Sequence, residues 1–149
     1  MDDGRSSRGG GVPALQEKAL IRPGVLDDAA RAAYAAAYTA SRDTSGGLGS
    51  MDAGLSGAAL FEVVLAGEIV CRYALRIEQC TNGAELIIVA AAGGVRGVDL
   101  VASVLPHVET QGPGAERITL RTRRRGLVRK LLKQGWALDA YCMGKRLKK

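Results

Sequence analysis

Residues 85–105, ELIIVAAAGGVRGVDLVASVL, combine an apolar run, a glycine-rich turn and a segment whose apolar residues have helical spacing. The nearly continuous apolar run from Ala84 to Ala92 predicts a central strand that is covered on both faces. The turn from Gly93 to Gly97 leads into a helix that Asp99 is placed to cap, and Pro106 should kink or shorten that helix. Because a glycine-rich turn that opens a helix presents unpaired N–H groups, it can hold the phosphates of a nucleotide-like cofactor.

Two further strands precede this run. Leu60 to Leu65 is read as a strand that ends at Ala66-Gly67. Glu68 to Glu78 alternates apolar and polar residues with a period of two, which predicts a half-buried strand. Thr81-Asn82-Gly83 is a hairpin signal, because Asn-Gly tolerates the positive φ angles of a tight primed turn. The three strands should therefore form an antiparallel meander.

A crossover and a second helix follow the glycine-rich turn. Arg117 to Arg121 alternates as a strand, which a helical crossover places parallel to its predecessor. Residues 123–134 carry Leu and Val on one stripe and basic residues elsewhere, and Gly135 is expected to end this helix. Trp136 to Leu147 is predicted to be a last strand, at a sheet edge that can pair with a second copy in a homodimer.

The N-terminal part of the chain predicts a strand, a helix and a loop. Ala19 to Pro23 is extended, Leu26 to about Arg42 has high helix propensity, and glycine and serine from Asp43 to Gly57 indicate a flexible loop. Tyr34 and Tyr38 lie one turn apart and share a helix face, where they either pack on the sheet or line a cleft.

Length and composition indicate one domain. With 149 residues and 47% apolar content the chain can bury one ordinary core, predicted to span residues 13–149 after a disordered segment, residues 1–12. The three cysteines lack metal-ligand spacing and indicate buried thiols in a reducing compartment, so no metal site is expected. The sequence shows neither a signal peptide nor an apolar run of about 18 residues. A cytoplasmic protein without a membrane partner is expected.

The net charge of +6 is unevenly placed. Residues 116–149 contain twelve Lys and Arg against two acidic residues, so this part carries +10 and residues 1–115 carry −4. A basic region of this kind either attracts polyanions such as nucleic acid, or is the solvated face of a helix with a tail. The candidate phosphate-contacting residues are Arg121, Arg123, Arg124, Arg125, Arg129 and Lys130.

The order of these elements, from about Ile21 to Leu147, resembles the GNAT superfamily of N-acetyltransferases. Arg124 to Trp136, RRGLVRKLLKQGW, is similar to the family's terminal helix with its Leu-x-x-x-Gly-aromatic ending. The length and the basic end are also similar to those of small GNAT-like proteins of bacteriophages. The resemblance implies an α+β fold with a mixed sheet, in which an antiparallel meander precedes a βαβ-type crossover and helices cover both faces.

The resemblance also implies a cofactor, acetyl-CoA, and an amine that accepts the acetyl or acyl group. The family's diphosphate loop, Arg/Gln-x-x-Gly-x-Gly/Ala, falls on residues 94–99, where Gly97 is its first glycine. Gly94 stands in place of the Arg or Gln, and Asp99 puts a carboxylate where a small residue is usual, which opposes a diphosphate by like-charge repulsion. The predicted cofactor-binding residues are Ala92, Gly93, Gly94, Val95, Arg96 and Gly97.

For catalysis the resemblance implies an acid and a base. Glu85 is the nearest candidate for the general base that the family places on its middle strands, unless a chain of waters serves instead. The tyrosine that many members carry on the terminal helix is Leu131 here, so Tyr141 is the candidate acid. Two functions stay open: an acyl-CoA-dependent N-acyltransferase, and an inactive protein of this fold that binds nucleic acid or a virion through its basic region.

Overall fold

The computed structural model describes residues 19–147 of the protein. The segment predicted to be disordered, residues 1–12, lies outside the described residues. Within them the chain forms five strands and four helices. The strands are β1 (Leu20–Pro23), β2 (Ala59–Leu65), β3 (Glu68–Cys80), β4 (Gly83–Gly93) and β5 (Ala115–Thr119). The helices are α1 (Asp28–Ala37), α2 (Met51–Leu55), α3 (Leu100–Val108) and α4 (Arg125–Lys133).

The strands form one mixed sheet in the order β1-β2-β3-β4-β5. The first three pairings are antiparallel, and β4 and β5 are parallel. Helices α1 and α2 pack on one face, while α3 and α4 pack on the other. The predicted α+β architecture of the GNAT type is confirmed, with the meander, the crossover and helices on both faces.

Strand β3 contributes to the core on both faces of the sheet. Tyr73 and Leu75 are buried beneath α3 and α4, whereas Ala74 is 0% exposed and packs beneath α1. The prediction of a half-buried strand is therefore wrong for the middle of β3, because α1 covers the face that would otherwise meet solvent.

The primed turn lies one hairpin earlier than predicted. Ala66 and Gly67, which join β2 to β3, have φ angles of 53° and 81°, and two positive φ angles in a two-residue loop match the twist of the flanking strands. Thr81 and Asn82 join β3 to β4 without a positive φ, which falls on Gly83 instead.

The predicted ends of the last two helices are confirmed. The carboxylate of Asp99 accepts a hydrogen bond of 3.2 Å from the N–H of Ala102 and so caps α3, which continues through Pro106 for two residues. At the end of α4, Gly135 has a φ of 88° and donates its N–H to the carbonyl of Leu132. The N–H of Trp136 donates to the carbonyl of Leu131, which completes a Schellman motif.

The predicted last strand is wrong. Residues 136–147 contain neither helix nor strand, and side chains hold the segment in place of a backbone ladder. The indole of Trp136 donates to Glu109 at 2.9 Å, Asp139 accepts from Arg117 at 2.9 Å, and Arg146 donates to the carbonyl of Gly46 at 2.7 Å. The apolar residues of this segment do not alternate with polar ones, so it has no face to bury. The edge that supported the homodimer prediction is therefore absent.

Three smaller expectations also differ from the structure. Helix α1 ends at Ala37 rather than near Arg42, and the segment predicted to be a flexible loop contains α2. Ser50 is a favourable N-cap for α2, because its hydroxyl accepts from the N–H of Ala53. The thiols of Cys80 and Cys142 are exposed rather than buried.

We expect Gly93→Ala to destabilise the protein, because Gly93 has a φ of 106° and an added Cβ would lie 2.6 Å from the carbonyl oxygen of Val70. Strain and contact together should lower the free energy of unfolding by roughly 2–4 kcal/mol. Gly97→Ala is the matched control, since its φ is 77° but no atom lies within 4 Å of the added Cβ. That variant should lose roughly 1 kcal/mol. Urea unfolding measures both, and equal losses would contradict the close approach of β4 to β3.

Candidate functional site

Strands β4 and β5 part midway along β4. Their pairing runs from Ala84 opposite Ala115 to Ile87 opposite Thr119, where β5 ends. Strand β4 continues to Gly93 and stays paired with β3 on its other side. The backbone groups of residues 88–93 that point away from β3 therefore face no neighbouring strand.

A cavity of about 480 Å³ opens at this parting. Residues 88–91 of β4 and residues 120–122 after β5 form two of its walls, and α1, α2, the loop between them and the start of α4 complete it. Ile88 and Ala90 pair with consecutive residues of β3, which makes Val89 the extra residue of a β-bulge at the cavity wall. A cavity of this volume fits a small molecule, and bulges are frequent beside active sites.

The glycine-rich turn leaves some of its N–H groups free. The N–H of Gly94 donates to the carbonyl of Val70 at 2.9 Å, and that of Val98 donates to the carbonyl of Val95. Within residues 19–147, the N–H groups of Val95, Arg96 and Gly97 make no backbone hydrogen bond. These three can face an anion, whereas the N–H of Gly94 is already engaged.

Two other predicted cofactor-binding residues, Ala92 and Gly93, are part of β4. They pair with Arg72 and Cys71 of β3, and Ala92 is buried. The turn itself does not line the cavity. It lies at the end of the strand whose middle forms the cavity wall, about 20 Å from Ile88 at the usual rise per residue of a strand.

Asp99 is partly neutralised at the start of α3. Its carboxylate caps the helix through Ala102 and lies 3.8 Å from the ammonium group of Lys130. A nearby cation offsets the repulsion that a bare carboxylate would exert on a diphosphate.

The predicted base, Glu85, does not line the cavity. It lies near the start of β4, where the parallel register brings Arg117 beside it and the guanidinium donates to its carboxylate at 2.8 Å. That hydrogen bond raises the pKa of Arg117. This ion pair with Arg117 holds the carboxylate of Glu85 near the start of β4, outside the cavity.

The predicted acid, Tyr141, does not line the cavity either. It lies on the irregular segment 136–147 and is 85% exposed. The prediction depended on a last strand beside the core, and without that strand nothing directs the hydroxyl inward. Leu131 is buried in the core between α3 and the sheet.

The cavity is lined by the carboxylate of Asp43, which lies in the segment predicted to be a flexible loop. Asp43 accepts from the N–H and the hydroxyl of Ser45, from the N–H of Gly47 and from the hydroxyl of Tyr38, at 3.0, 2.7, 2.8 and 3.3 Å. Hydrogen bonds to Ser45 are the main cause that lowers the pKa of Asp43 to about 2. The sequence Asp-Thr-Ser-Gly-Gly at residues 43–47 is the signal for this turn, because aspartate and serine hydrogen-bond to nearby backbone.

Tyr34 is the second residue whose position only the structure shows. It lines the cavity and is 3% exposed, and its hydroxyl has no hydrogen-bond partner in the described part of the chain. Burial raises the pKa of Tyr34 to about 12. Of the two alternatives for the tyrosines of α1, both hold for Tyr34, which packs on the sheet and lines a cleft.

The six basic residues predicted to contact phosphate are all exposed, but they contact different parts of the protein. Arg121 and Arg124 line the cavity. Arg123 donates to the carbonyls of Ala40 and Asp43 at 3.1 and 3.3 Å and so fixes the loop after α1. Lys130 faces Asp99, while Arg125 and Arg129 form no ion pair among the residues described.

No protein-family profile matches the chain, and no curated protein matches its sequence. Among solved structures, the fold is similar to that of a possible acetyltransferase from Clostridium difficile 630. The TM-score is 0.54 at 14% sequence identity, over 88% of this chain and 99% of the other. The chain has a GNAT-like fold. At this identity the likeness shows the fold alone.

Within residues 19–147, no helix has the length and apolar character that a membrane span requires. In the same range, no group of three or more His, Cys, Asp or Glu is arranged to hold a metal ion.

We expect the stability that Asp43 confers to depend on pH. The pKa of this carboxyl falls from 3.8 to about 2 on folding, so the stabilisation is complete above about pH 4 and is lost as the pH falls towards 2. Asp43→Asn should therefore have a lower thermal midpoint than the wild type at pH 7. The difference should shrink between pH 4 and pH 2 in parallel melting curves. Asp52→Asn, at an exposed carboxylate with one 3.3 Å ion pair, is the control and should follow the wild type.

Proposed function

We propose that the protein is an acyl-CoA-dependent N-acyltransferase that moves an acetyl or acyl group to an amine. The observation that supports this most directly is the parting of β4 and β5 beside a cavity of about 480 Å³. The parting exposes unpaired backbone groups of β4 in a GNAT-like fold, next to a space of the size that small substrates need.

The glycine-rich turn fits the diphosphate of the cofactor. The free N–H groups of Val95, Arg96 and Gly97 are donors for phosphate oxygens, and the exposed guanidinium of Arg96 adds a positive charge. Lys130 offsets the carboxylate of Asp99. Acetyl-CoA would supply the thioester whose carbonyl carbon the amine attacks.

The unpaired edge of β4 would hydrogen-bond to the thioester end of acetyl-CoA. N–H groups of residues 88–91 that point away from β3 are fixed donors, and donors of this kind stabilise an oxygen that gains negative charge. Because β3 pairs with the other edge, these groups need not reorganise during the reaction.

The cavity itself offers no strong base within the described residues. Its one carboxylate, Asp43, has a pKa of about 2, and the hydroxyl of Tyr34 has a pKa of about 12. A general base is most effective when its pKa lies near the working pH. We therefore propose that the amine loses its proton to water and that the carbon–sulfur bond of the thioester breaks as the new carbon–nitrogen bond forms. The coenzyme A thiolate that leaves takes a proton from water, so neither Glu85 nor Tyr141 takes part.

Binding of nucleic acid stays a prediction that the structure does not favour over acyl transfer. Arg123 and Lys130 already have partners within the chain, and Arg121 and Arg124 belong to the cavity. Arg125 and Arg129 remain as a small exposed pair, which by itself is typical of a solvated helix face.

We expect Arg96→Gln to weaken acetyl-CoA binding by about tenfold, because a hydrogen bond between ionised groups contributes more than 1 kcal/mol. Isothermal titration calorimetry measures the affinity. Arg129→Gln removes the same charge from an exposed position on α4 and should leave the affinity unchanged.

A further result would contradict the proposal as a whole. If acetyl-CoA at millimolar concentration neither releases heat nor raises the thermal midpoint, the protein does not bind it, because a ligand that binds only the native state must stabilise it.

A further inference from the structure

The charges along the cavity wall are unbalanced. Three of the residues that line it are arginines, namely Arg42, Arg121 and Arg124, whereas Asp43 is the one carboxylate among its lining residues. Within residues 19–147, none of the three guanidinium groups makes an ion pair or a side-chain hydrogen bond. The cavity therefore carries a positive potential that favours an anionic guest.

Asp43 forms no ion pair with these arginines among the residues described. Its carboxylate already accepts four hydrogen bonds, from Ser45 twice, from Gly47 and from Tyr38. All four hold the loop between α1 and α2 in place. The carboxylate of Asp43 is thus hydrogen-bonded within its own loop, and the N–H groups of the three guanidinium groups are available to a ligand.

Tyr34 lines the same cavity, but its hydroxyl does not open into it. The hydroxyl oxygen is fully buried, near Cys71 and Arg72 of β3, neither of which lines the cavity. Recognition of an anion therefore depends on the arginine side chains.

We infer that the cavity selects an amine that also carries a carboxylate or phosphate group, with arginine side chains from Arg42, Arg121 and Arg124 around the anion. This rests on the proposed function, since it names the class of amine that would accept the acyl group. Guanidinium groups match the two oxygens of such anions. The volume of about 480 Å³ fits a small molecule.

The test compares matched amines by calorimetry, with and without acetyl-CoA. The pairs are an α-amino acid with its α-amide, and phosphoethanolamine with ethanolamine. We expect at least one anionic member to bind about tenfold more tightly than its neutral partner. Arg121→Gln with Arg124→Gln should remove that preference, because hydrogen bonds between charged groups are the strong ones. Arg125→Gln with Arg129→Gln removes equal charge outside the cavity and should keep it.

Tyr34→Phe is a second control, at the wall of the cavity. It deletes one unpartnered oxygen, so the variant should fold with an unchanged or higher thermal midpoint. Because the deleted hydroxyl does not open into the cavity, the affinity for the anionic amine should be unchanged.

The outcomes separate this inference from the proposed function. If an anionic amine binds selectively but acetyl-CoA does not bind, the cavity is as inferred and the transferase proposal is wrong. If paired amines bind equally, or no amine binds in either condition, the inference is wrong. It is also wrong if the cavity double variant loses affinity for acetyl-CoA rather than for the anionic amine, because the arginines would then serve the cofactor.

Discussion

Strand β4 is hydrogen-bonded to β3 along nearly its whole length but to β5 only as far as Ile87. The difference arises because β5 ends at Thr119, and the chain then turns into α4, whose Leu131 packs in the core with α3. Backbone groups in a sheet are normally paired. The unpaired backbone groups of β4 therefore need water or a ligand as their hydrogen-bonding partner, and the cavity lies beside them.

The basic C-terminal quarter has no single role in the folded protein. Arg117 joins Glu85 to Asp139, Arg123 holds the loop after α1, and Lys130 faces Asp99. Arg121 and Arg124 instead line the cavity. Charges that look like one region along the sequence are distributed over several sites, because β5, α4 and the segment after it face different parts of the molecule. The net charge indicates an attraction for anions, and the structure places part of it at a defined pocket.

Much of the fold was predictable from local patterns. The apolar run of β4, the cap at Asp99 and the Schellman ending at Gly135 each depend on a few adjacent residues. The candidate site was less predictable. The free N–H groups of the turn followed from its glycines, but the positions of Glu85 and Tyr141 depend on which strands pair and in what register, and local patterns do not give that. Parallel pairing binds Glu85 to Arg117, and the missing last strand leaves Tyr141 in solvent. Tyr34 and Asp43, which do line the cavity, come from α1 and the loop after it, far from β4 and β5 along the chain.

By itself, the sequence determined the order of the five strands, the start of α3, the end of α4 and the glycine-rich turn, because these features follow from patterns and hydrogen bonds among near neighbours. Only the tertiary structure decided that β5 pairs with β4 no further than Ile87 and that α1 buries the Tyr34 hydroxyl. These facts depend on contacts between segments far apart in the chain, and such contacts form only when the sheet and its helices pack together.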